Sequence, residues 1–238
     1  MSAMDASTLT GVLIIAGHYG VGKTNLALNV CVDAARAGKR VTCVDLDIVN
    51  PYFRSSDYED LLRTEGIDMI APLFAHTSLD SPGLSGRTIA AIEAARASED
   101  ALVVIDAGGD DVGATALGRF AATIAEGQYA FWYVVNAYRN LTQTPEEALA
   151  LLPEIERASH LRATGIVNNS HLKAETTSET IRAAASFGSE VAGRAGLPLV
   201  CTTVPNSLFF SSRAENLVFG EASGLYPVHV YVTAPWER

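Results

Sequence analysis

Short apolar runs recur along the chain, and stretches of helical or polar character separate them. The runs are rich in Val and Ile, which is typical of β-strands. Several of them lack polar alternation, as expected of strands that are covered on both faces in a parallel sheet. The predicted strands are Val12–Ala16, Val41–Asp45, Ile67–Ile70, Leu102–Asp106, Tyr129–Asn136, Gly165–Asn168, Leu199–Val204 and Val228–Val232.

Helical periodicity fills several of the intervals. The range 25–37 places apolar residues on one face and stops at Gly38, a residue that readily adopts a left-handed cap. Thr144 is followed by a proline and, three positions after the threonine, by Glu147, which is a capping pattern that predicts a helix start. A further helix is predicted over 176–196.

The alternation of strands and helices predicts the fold class. We expect an α/β fold with a doubly wound, mainly parallel sheet and helices on both faces. No long linker or internal repeat interrupts the pattern, so residues 1–238 are predicted to form one domain. Ligands of such sheets bind beyond the carboxyl ends of the strands.

Composition and charge exclude several classes of protein. Apolar residues make up 48% of the chain, which is too many for a disordered protein. The net charge of −10 makes nucleic acid an unlikely partner. The three cysteines form no C-x-x-C pair, and no Lys or Arg precedes Lys23, so we expect neither a disulfide framework nor a secretory leader. A cytoplasmic location is therefore expected.

A glycine-rich segment directly follows the first predicted strand. It reads Gly17, His18, Tyr19, Gly20, Val21, Gly22, Lys23 and Thr24, and a predicted helix follows at once from Asn25. Glycines at this spacing let backbone N–H groups surround phosphate oxygens, and the helix N-terminus adds positive potential. The lysine would reach the β- and γ-phosphates, and the threonine would ligate Mg²⁺. The segment predicts a phosphate-binding loop, and we expect its residues and Asn25 to contact the bound cofactor.

Two carboxylates follow the second predicted strand. Asp45 and Asp47 would face the phosphates if the sheet is doubly wound, and they could then bind Mg²⁺ or orient an attacking water. The alternative is that they only cap a turn. In the following loop, Arg54 could bind a phosphate or a partner, or the loop could simply pack around it.

A third carboxylate ends the strand 102–106. Asp106 would hold Mg²⁺ through water, and Gly108 and Gly109 would give a loop that responds to the γ-phosphate. Asp110 and Asp111 could be solvated turn residues or the cap of a helix beginning near Gly113.

Together, these three segments resemble the MinD/ParA group of P-loop ATPases, within the class that also holds CobQ/CobB-type synthetases. The resemblance implies ATP and Mg²⁺ as cofactors, with Lys23, Asp47 and Asp106 catalytic and with Thr24, Asp45, Asp47 and Asp106 around the metal. It further implies base contacts from the segments after two later strands. The residues concerned there are Asn168, Asn169, Pro205 and Asn206.

The loop departs from this group at one position. His18 stands where the group has an extra lysine that reaches the partner's nucleotide in a dimer. A neutral imidazole would replace that charge poorly. The chain also ends in a strand-like segment rather than a basic amphipathic helix, so no membrane anchor is expected.

The sequence therefore predicts a regulatory or accessory ATPase that acts with a protein partner or as a homodimer. Three alternatives stay open. The first, implied by the resemblance, is a protein that helps to load a metal or cofactor into another enzyme; two more concern the use of ATP. One is an ATP-dependent small-molecule synthetase or kinase of the dethiobiotin synthetase or CobB type, which lacks the extra lysine too. The other is a nucleotide-gated binding module with negligible turnover.

Overall fold

A single parallel sheet of eight strands organises the chain. The computed structural model describes residues 4–47, 55–71, 82–109, 111–211 and 224–233. The strand order is β3-β2-β4-β1-β5-β6-β7-β8, and each neighbouring pair is parallel. The strands are β1 Gly11–Gly17, β2 Arg40–Leu46, β3 Asp68–Ile70, β4 Ala101–Ala107, β5 Tyr129–Val135, β6 Gly165–Asn168, β7 Leu199–Pro205 and β8 Gly224–Val228.

Helices cover both faces of this sheet. One face packs mainly against α1 and α2, and the other against α3 to α7 and α9, so each strand contributes alternate side chains to two hydrophobic layers. The helices are α1 Lys23–Arg36, α2 Glu59–Thr64, α3 Pro82–Arg96, α4 Asp111–Gly118, α5 Ala121–Ala125, α6 Pro145–Ala150, α7 Leu152–Ser159, α8 Ser178–Ala183, α9 Ala185–Ala195 and α10 Asn206–Phe209. The predicted doubly wound α/β fold is confirmed. Within the described ranges, no helix combines the length and the apolar character that crossing a bilayer requires.

The predicted helix over 176–196 is two helices in the structure. The side-chain amide of Asn168 donates to the main-chain oxygen of Ala184 at 3.0 Å, at the junction of α8 and α9. A side chain that takes a helix carbonyl in this way interrupts the helical ladder. The capping box at Thr144 is present as predicted, with Glu147 as its partner.

The last predicted strand was misplaced. The structure has β8 at Gly224–Val228, so the predicted range 228–232 overlaps it only at Val228. The main-chain N–H groups of His229, Tyr231 and Val232 are taken by side-chain oxygens of α1 instead of by a neighbouring strand. Residues that favour β-strands are frequent in this segment, but most of it does not pair with a neighbouring strand.

Candidate functional site

The carboxyl ends of β1, β2 and β4 bring the three predicted segments together. Asp106 on β4 is in register with Ile15 on β1 and with Asp45 on β2. The strand order reverses around β1, and this reversal is where doubly wound sheets bind ligands. The glycine-rich loop and the carboxylates thus share one edge of the sheet, as the sequence predicted.

The loop turns sharply into α1 at Gly22. Its φ is +93°, a value that side chains with a Cβ rarely adopt, and an added Cβ would lie 2.2 Å from Asn169 Nδ2. Lys23 is buried at the first position of α1, and its Nζ donates to the main-chain oxygen of His18 at 3.1 Å. The ammonium therefore lies over the loop, where a bound phosphate would also lie.

Gly109 approaches the same loop from the end of β4. A Cβ at this position would lie 2.7 Å from the main-chain N of Tyr19 and 2.8 Å from Lys23 Nζ. Only a glycine allows so close an approach. The segment after Asp106 thus contacts two groups that would bind phosphate.

Asp106 is completely buried, and two hydroxyl groups bind one of its oxygens. Thr24 Oγ1 donates to Oδ2 at 2.8 Å, and Ser55 Oγ donates to the same Oδ2 at 2.5 Å. The other oxygen, Oδ1, is buried without a hydrogen-bond partner among the described residues. One carboxylate oxygen thus accepts two hydrogen bonds, and the other accepts none from the described part of the chain.

The charge balance around Asp106 is negative. Burial raises the pKa of Asp106 to about 7, and the neighbouring charges of Asp45 and Asp47 act in the same direction. The Ser55 hydrogen bond and the Lys23 charge oppose this rise in the pKa. All three carboxylates are nearly inaccessible to water. A cation would relieve their mutual repulsion.

Asp45 has a second role in the structure. Its Oδ1 accepts a hydrogen bond from the main-chain N–H of Asp47 at 3.0 Å, which is the turn-capping contact that the sequence left open as an alternative. This contact directs the chain after β2 and buries Asp47 beside Asp106.

The donor set fits Mg²⁺ held mainly by phosphates and water. No group of three His, Cys, Asp or Glu in the described ranges is arranged to hold a metal ion by itself. Mg²⁺ ordinarily keeps several waters and binds through one or two protein groups together with substrate phosphates. Thr24 Oγ1 donates a hydrogen bond to Asp106, so its hydroxyl lies beside this carboxylate at the start of α1. Asp106 Oδ1, to which no described residue donates, could accept a hydrogen bond from a cation-bound water.

The two asparagines at the end of β6, Asn168 and Asn169, are bound within the protein. Asn169 Nδ2 donates to the main-chain oxygen of Val21 at 2.7 Å, and its Oδ1 accepts from Thr203 Oγ1. Asn168 binds the Ala184 oxygen and Ser170 Oγ. These contacts support the phosphate loop and α9 from behind, so the side-chain amides give no support to the prediction that they contact a base.

The segment after β7 retains a polar atom suited to a ligand. Pro205 is buried at the end of β7, and Asn206 begins α10. Asn206 Oδ1 is buried and, within the part of the chain that is described, has no hydrogen-bond partner. Of the predicted base contacts, Asn206 is the one whose side chain has a group to offer.

Asn25 faces away from the loop. Its amide donates to the main-chain oxygen of His229, and its Oδ1 accepts from the N–H groups of Tyr231 and Val232. Asn29, one turn later, also binds His229 through both its side-chain nitrogen and its oxygen. The predicted ligand contact of Asn25 therefore finds no support in its side chain, which holds the segment after β8.

Ser55 is a site residue that the sequence analysis missed. It lies several residues after the turn that holds Asp45 and Asp47, and it belongs to no recognised sequence motif. Two predicted features, the loop 48–54 with Arg54 and the carboxylate of Asp110, lie outside the described residues.

Comparisons with known proteins agree with this geometry. A search of curated proteins finds no match. Among solved structures, the chain is similar to the signal recognition particle 54 kDa protein from Aeropyrum pernix K1 in complex with GDP, with 15% identity, a TM-score of 0.55, and coverage of 82% of this chain and 42% of that one.

Two structures of FtsY are also similar. The protein from Mycoplasma mycoides has 15% identity and a TM-score of 0.57 over 84% of this chain and 62% of that one. The protein from Thermotoga maritima has 18% identity and a TM-score of 0.57 over 85% and 64%. The chain thus spans less than two thirds of the length of each of these proteins, and at such identities the likeness concerns the fold.

The family model for the CobQ/CobB/MinD/ParA nucleotide-binding domain matches residues 12–184. The match includes the glycine-rich loop, all three carboxylates and both asparagines at the end of β6, and it covers well over half of the 238 residues. With the fold and the site in agreement, the chain belongs to the CobQ/CobB/MinD/ParA nucleotide-binding domain family.

Proposed function

We propose that this protein binds Mg·ATP and hydrolyses it as a MinD/ParA-like regulatory or accessory ATPase. The observation that carries the proposal is the burial of Lys23 beside Asp45, Asp47 and Asp106 at the start of α1. A buried lysine and buried carboxylates, next to a glycine loop and a helix N-terminus, form the parts that phosphoryl transfer needs.

Each group has a definite task in this proposal. Lys23 would leave the His18 oxygen and contact the β- and γ-phosphates, and the loop N–H groups would bind the remaining phosphate oxygens. Mg²⁺, held by Thr24 and the phosphates, would supply charge neutralisation. Asp106 would orient the cation's water through Oδ1, and Asp47 would orient the attacking water.

The preference for ATP rests on the family resemblance. Asn206 supports base binding, because its side-chain oxygen, which has no partner among the residues that the structure describes, could accept from an exocyclic amino group. Adenine and guanine both carry such a group, so the test must compare ATP with GTP.

A second candidate is favoured by His18. Small-molecule synthetases of the class also lack the extra lysine, and their ATP turnover requires a metabolite. Near-zero turnover with tight nucleotide binding would instead identify a nucleotide-gated binding module.

Phosphate release distinguishes these functions. The protein is incubated with ATP or GTP and Mg²⁺, alone and with a panel of small metabolites, and Lys23→Ala serves as the inactive control. Release with ATP alone supports the regulatory ATPase. Phosphate release only with a metabolite identifies a synthetase, whereas metabolite-dependent formation of ADP without phosphate release identifies a kinase. Failure of calorimetry to detect binding of either nucleotide refutes the proposal.

A further inference from the structure

Ser55 binds Asp106 in a way that the family motifs do not anticipate. Its side chain is completely buried at the first residue of a short 3-10 turn, Ser55–Tyr58, and its Oγ lies 2.5 Å from Asp106 Oδ2. Distances of this size are typical of a hydroxyl that donates to an ionised carboxylate.

Ser55 and Thr24 hold the carboxylate from different parts of the fold. Thr24 belongs to the first turn of α1, whereas Ser55 follows β2, and both donate to the same oxygen, Oδ2. Two donors on one oxygen restrict rotation of the carboxylate about its terminal torsion, which is otherwise soft. The restriction leaves Oδ1 as the oxygen that is buried and that has no hydrogen-bond partner in the described ranges.

We propose that Ser55 is a positioning residue that fixes the Asp106 carboxylate so that Oδ1 faces the cation-bound water of a Mg·nucleotide. The inference rests on the proposed function and specifies how the cation is held in that site. Ser55 itself contacts neither nucleotide nor cation in this scheme and acts only through Asp106.

The position of Ser55 agrees with this role. Asp106 is 51 residues away in sequence, so the contact depends on the tertiary fold and not on a local turn. A buried hydroxyl is costly unless it is hydrogen-bonded, and the Asp106 carboxylate meets that need. The same contact therefore satisfies the serine and orders the aspartate.

The test measures how nucleotide binding depends on Mg²⁺. Titration calorimetry gives the affinity for ATP in EDTA and the Mg²⁺ concentration that half-saturates the tight complex. For Ser55→Ala we expect that concentration to rise about tenfold, because a charge-assisted hydrogen bond is lost. The affinity in EDTA should change by less than about twofold.

Controls separate this effect from a general loss of packing. Ser159→Ala removes another completely buried serine, at the end of α7, and should leave the Mg²⁺ dependence as in the wild type. Ser55→Cys keeps nearly the same volume but replaces a strong donor with a weak one, so it should behave like Ser55→Ala. It also serves as the test if Ser55→Ala does not fold.

A double-mutant cycle with Asp106→Asn decides whether Ser55 acts through Asp106. Adding Ser55→Ala to Asp106→Asn should give no further shift in the Mg²⁺ dependence. A full additional shift in the double mutant overturns the inference, as does wild-type Mg²⁺ dependence in folded Ser55→Ala or Ser55→Cys. A wild-type protein that binds no nucleotide overturns this inference and the proposed function together.

Discussion

The side-chain amide of Asn169 donates to the main-chain oxygen of Val21 at 2.7 Å, across 148 residues of sequence. Thr203 Oγ1 donates to the amide oxygen of Asn169, which fixes the orientation of the amide. Since the peptide group is planar and trans, the N–H of Gly22 points away from the Val21 oxygen and thus away from Asn169. Asn169 therefore sets the direction of one loop N–H group.

Asn169→Ala tests this role. Loss of the contact frees the peptide between Val21 and Gly22, so we expect the affinity for nucleotide to fall about tenfold. The loss should be equal for ATP and GTP, because the contact orders the phosphate loop. Calorimetry measures both affinities, and Asn140→Ala, at an exposed asparagine, serves as the control. A loss confined to one nucleotide would show that Asn169 contacts the base.

Lys23→Ala should weaken ATP binding by about a hundredfold, since a buried ammonium contributes a charge-assisted contact to the phosphates. The chain has three lysines, and Lys39 offers the matched control because its ammonium binds the exposed main-chain oxygen of Glu99. Circular dichroism verifies that both variants are folded. Unchanged ATP affinity in Lys23→Ala would rule out the phosphate-loop assignment.

Asp47 and Asp106 should give different phenotypes. Asp47→Ala should bind ATP with near wild-type affinity and hydrolyse it about a hundredfold more slowly, because the attacking water is no longer oriented. Asp106→Asn should slow hydrolysis as well and should also raise the Mg²⁺ requirement. Single-turnover phosphate release and Mg²⁺ titration distinguish the two, and wild-type turnover in Asp47→Ala would remove that residue from the mechanism.

Because His18 stands in place of the extra lysine, we predict that two copies of the chain associate only weakly in the presence of nucleotide. The imidazole is half-exposed and lies 3.1 Å from the Tyr19 oxygen through Nδ1, and two chains of charge −10 repel each other. Light scattering is measured with ADP, ATP and a non-hydrolysable analogue at pH 6 and pH 8. At pH 8 we expect the same mass with each of the three nucleotides. His18→Lys should strengthen association with ATP. A tight dimer that the wild type forms only with ATP at pH 8 contradicts the prediction.

His171 should make the free energy of unfolding depend on pH. Burial, with smaller effects from the charges of Arg139 and Lys173, lowers the pKa of His171 to about 4. The unfolded chain, with a histidine pKa near 6.5, therefore takes up a proton first as the pH falls. The stabilisation is complete above pH 6.5 and is lost toward pH 4, with about 2 kcal/mol lost between pH 7.5 and pH 5.

Urea unfolding of the wild type and of His171→Gln at pH 7.5 and pH 5 measures this effect. His171→Gln should lose the part of the pH dependence that the histidine contributes. His160→Asn is the control, because His160 is exposed and its φ of 57° suits asparagine. Equal pH dependence in the wild type and His171→Gln would disprove the assignment.

The sequence predicted those parts of the molecule whose signals are local. The glycine spacing that leads to Lys23, the carboxylates at the ends of β2 and β4, and the apolar runs of the inner strands each lie within a few adjacent residues. Burial on both faces removes polar alternation from such strands, and this made the parallel sheet predictable.

The features that were missed depend on distant partners. Asn168 interrupts a predicted helix because it meets Ala184, and Ser55 reaches Asp106 only in the folded chain. One signal was available for the misplaced last strand. Asn25, Asn29 and Asp33 recur every four residues on α1, where nearly all neighbours are apolar, and such a polar stripe indicates a buried hydrogen-bonded contact.

That stripe has a consequence for biosynthesis. Asn25 and Asn29 bind residues 229–232, and Asp33 accepts from the Tyr226 hydroxyl, so α1 completes its contacts with a segment about two hundred positions later. While the ribosome is still translating the middle of the chain, the helix that carries Lys23 has three polar side chains without these partners. The nascent polypeptide therefore cannot complete the polar contacts of this helix until residues 226–232 have left the exit tunnel.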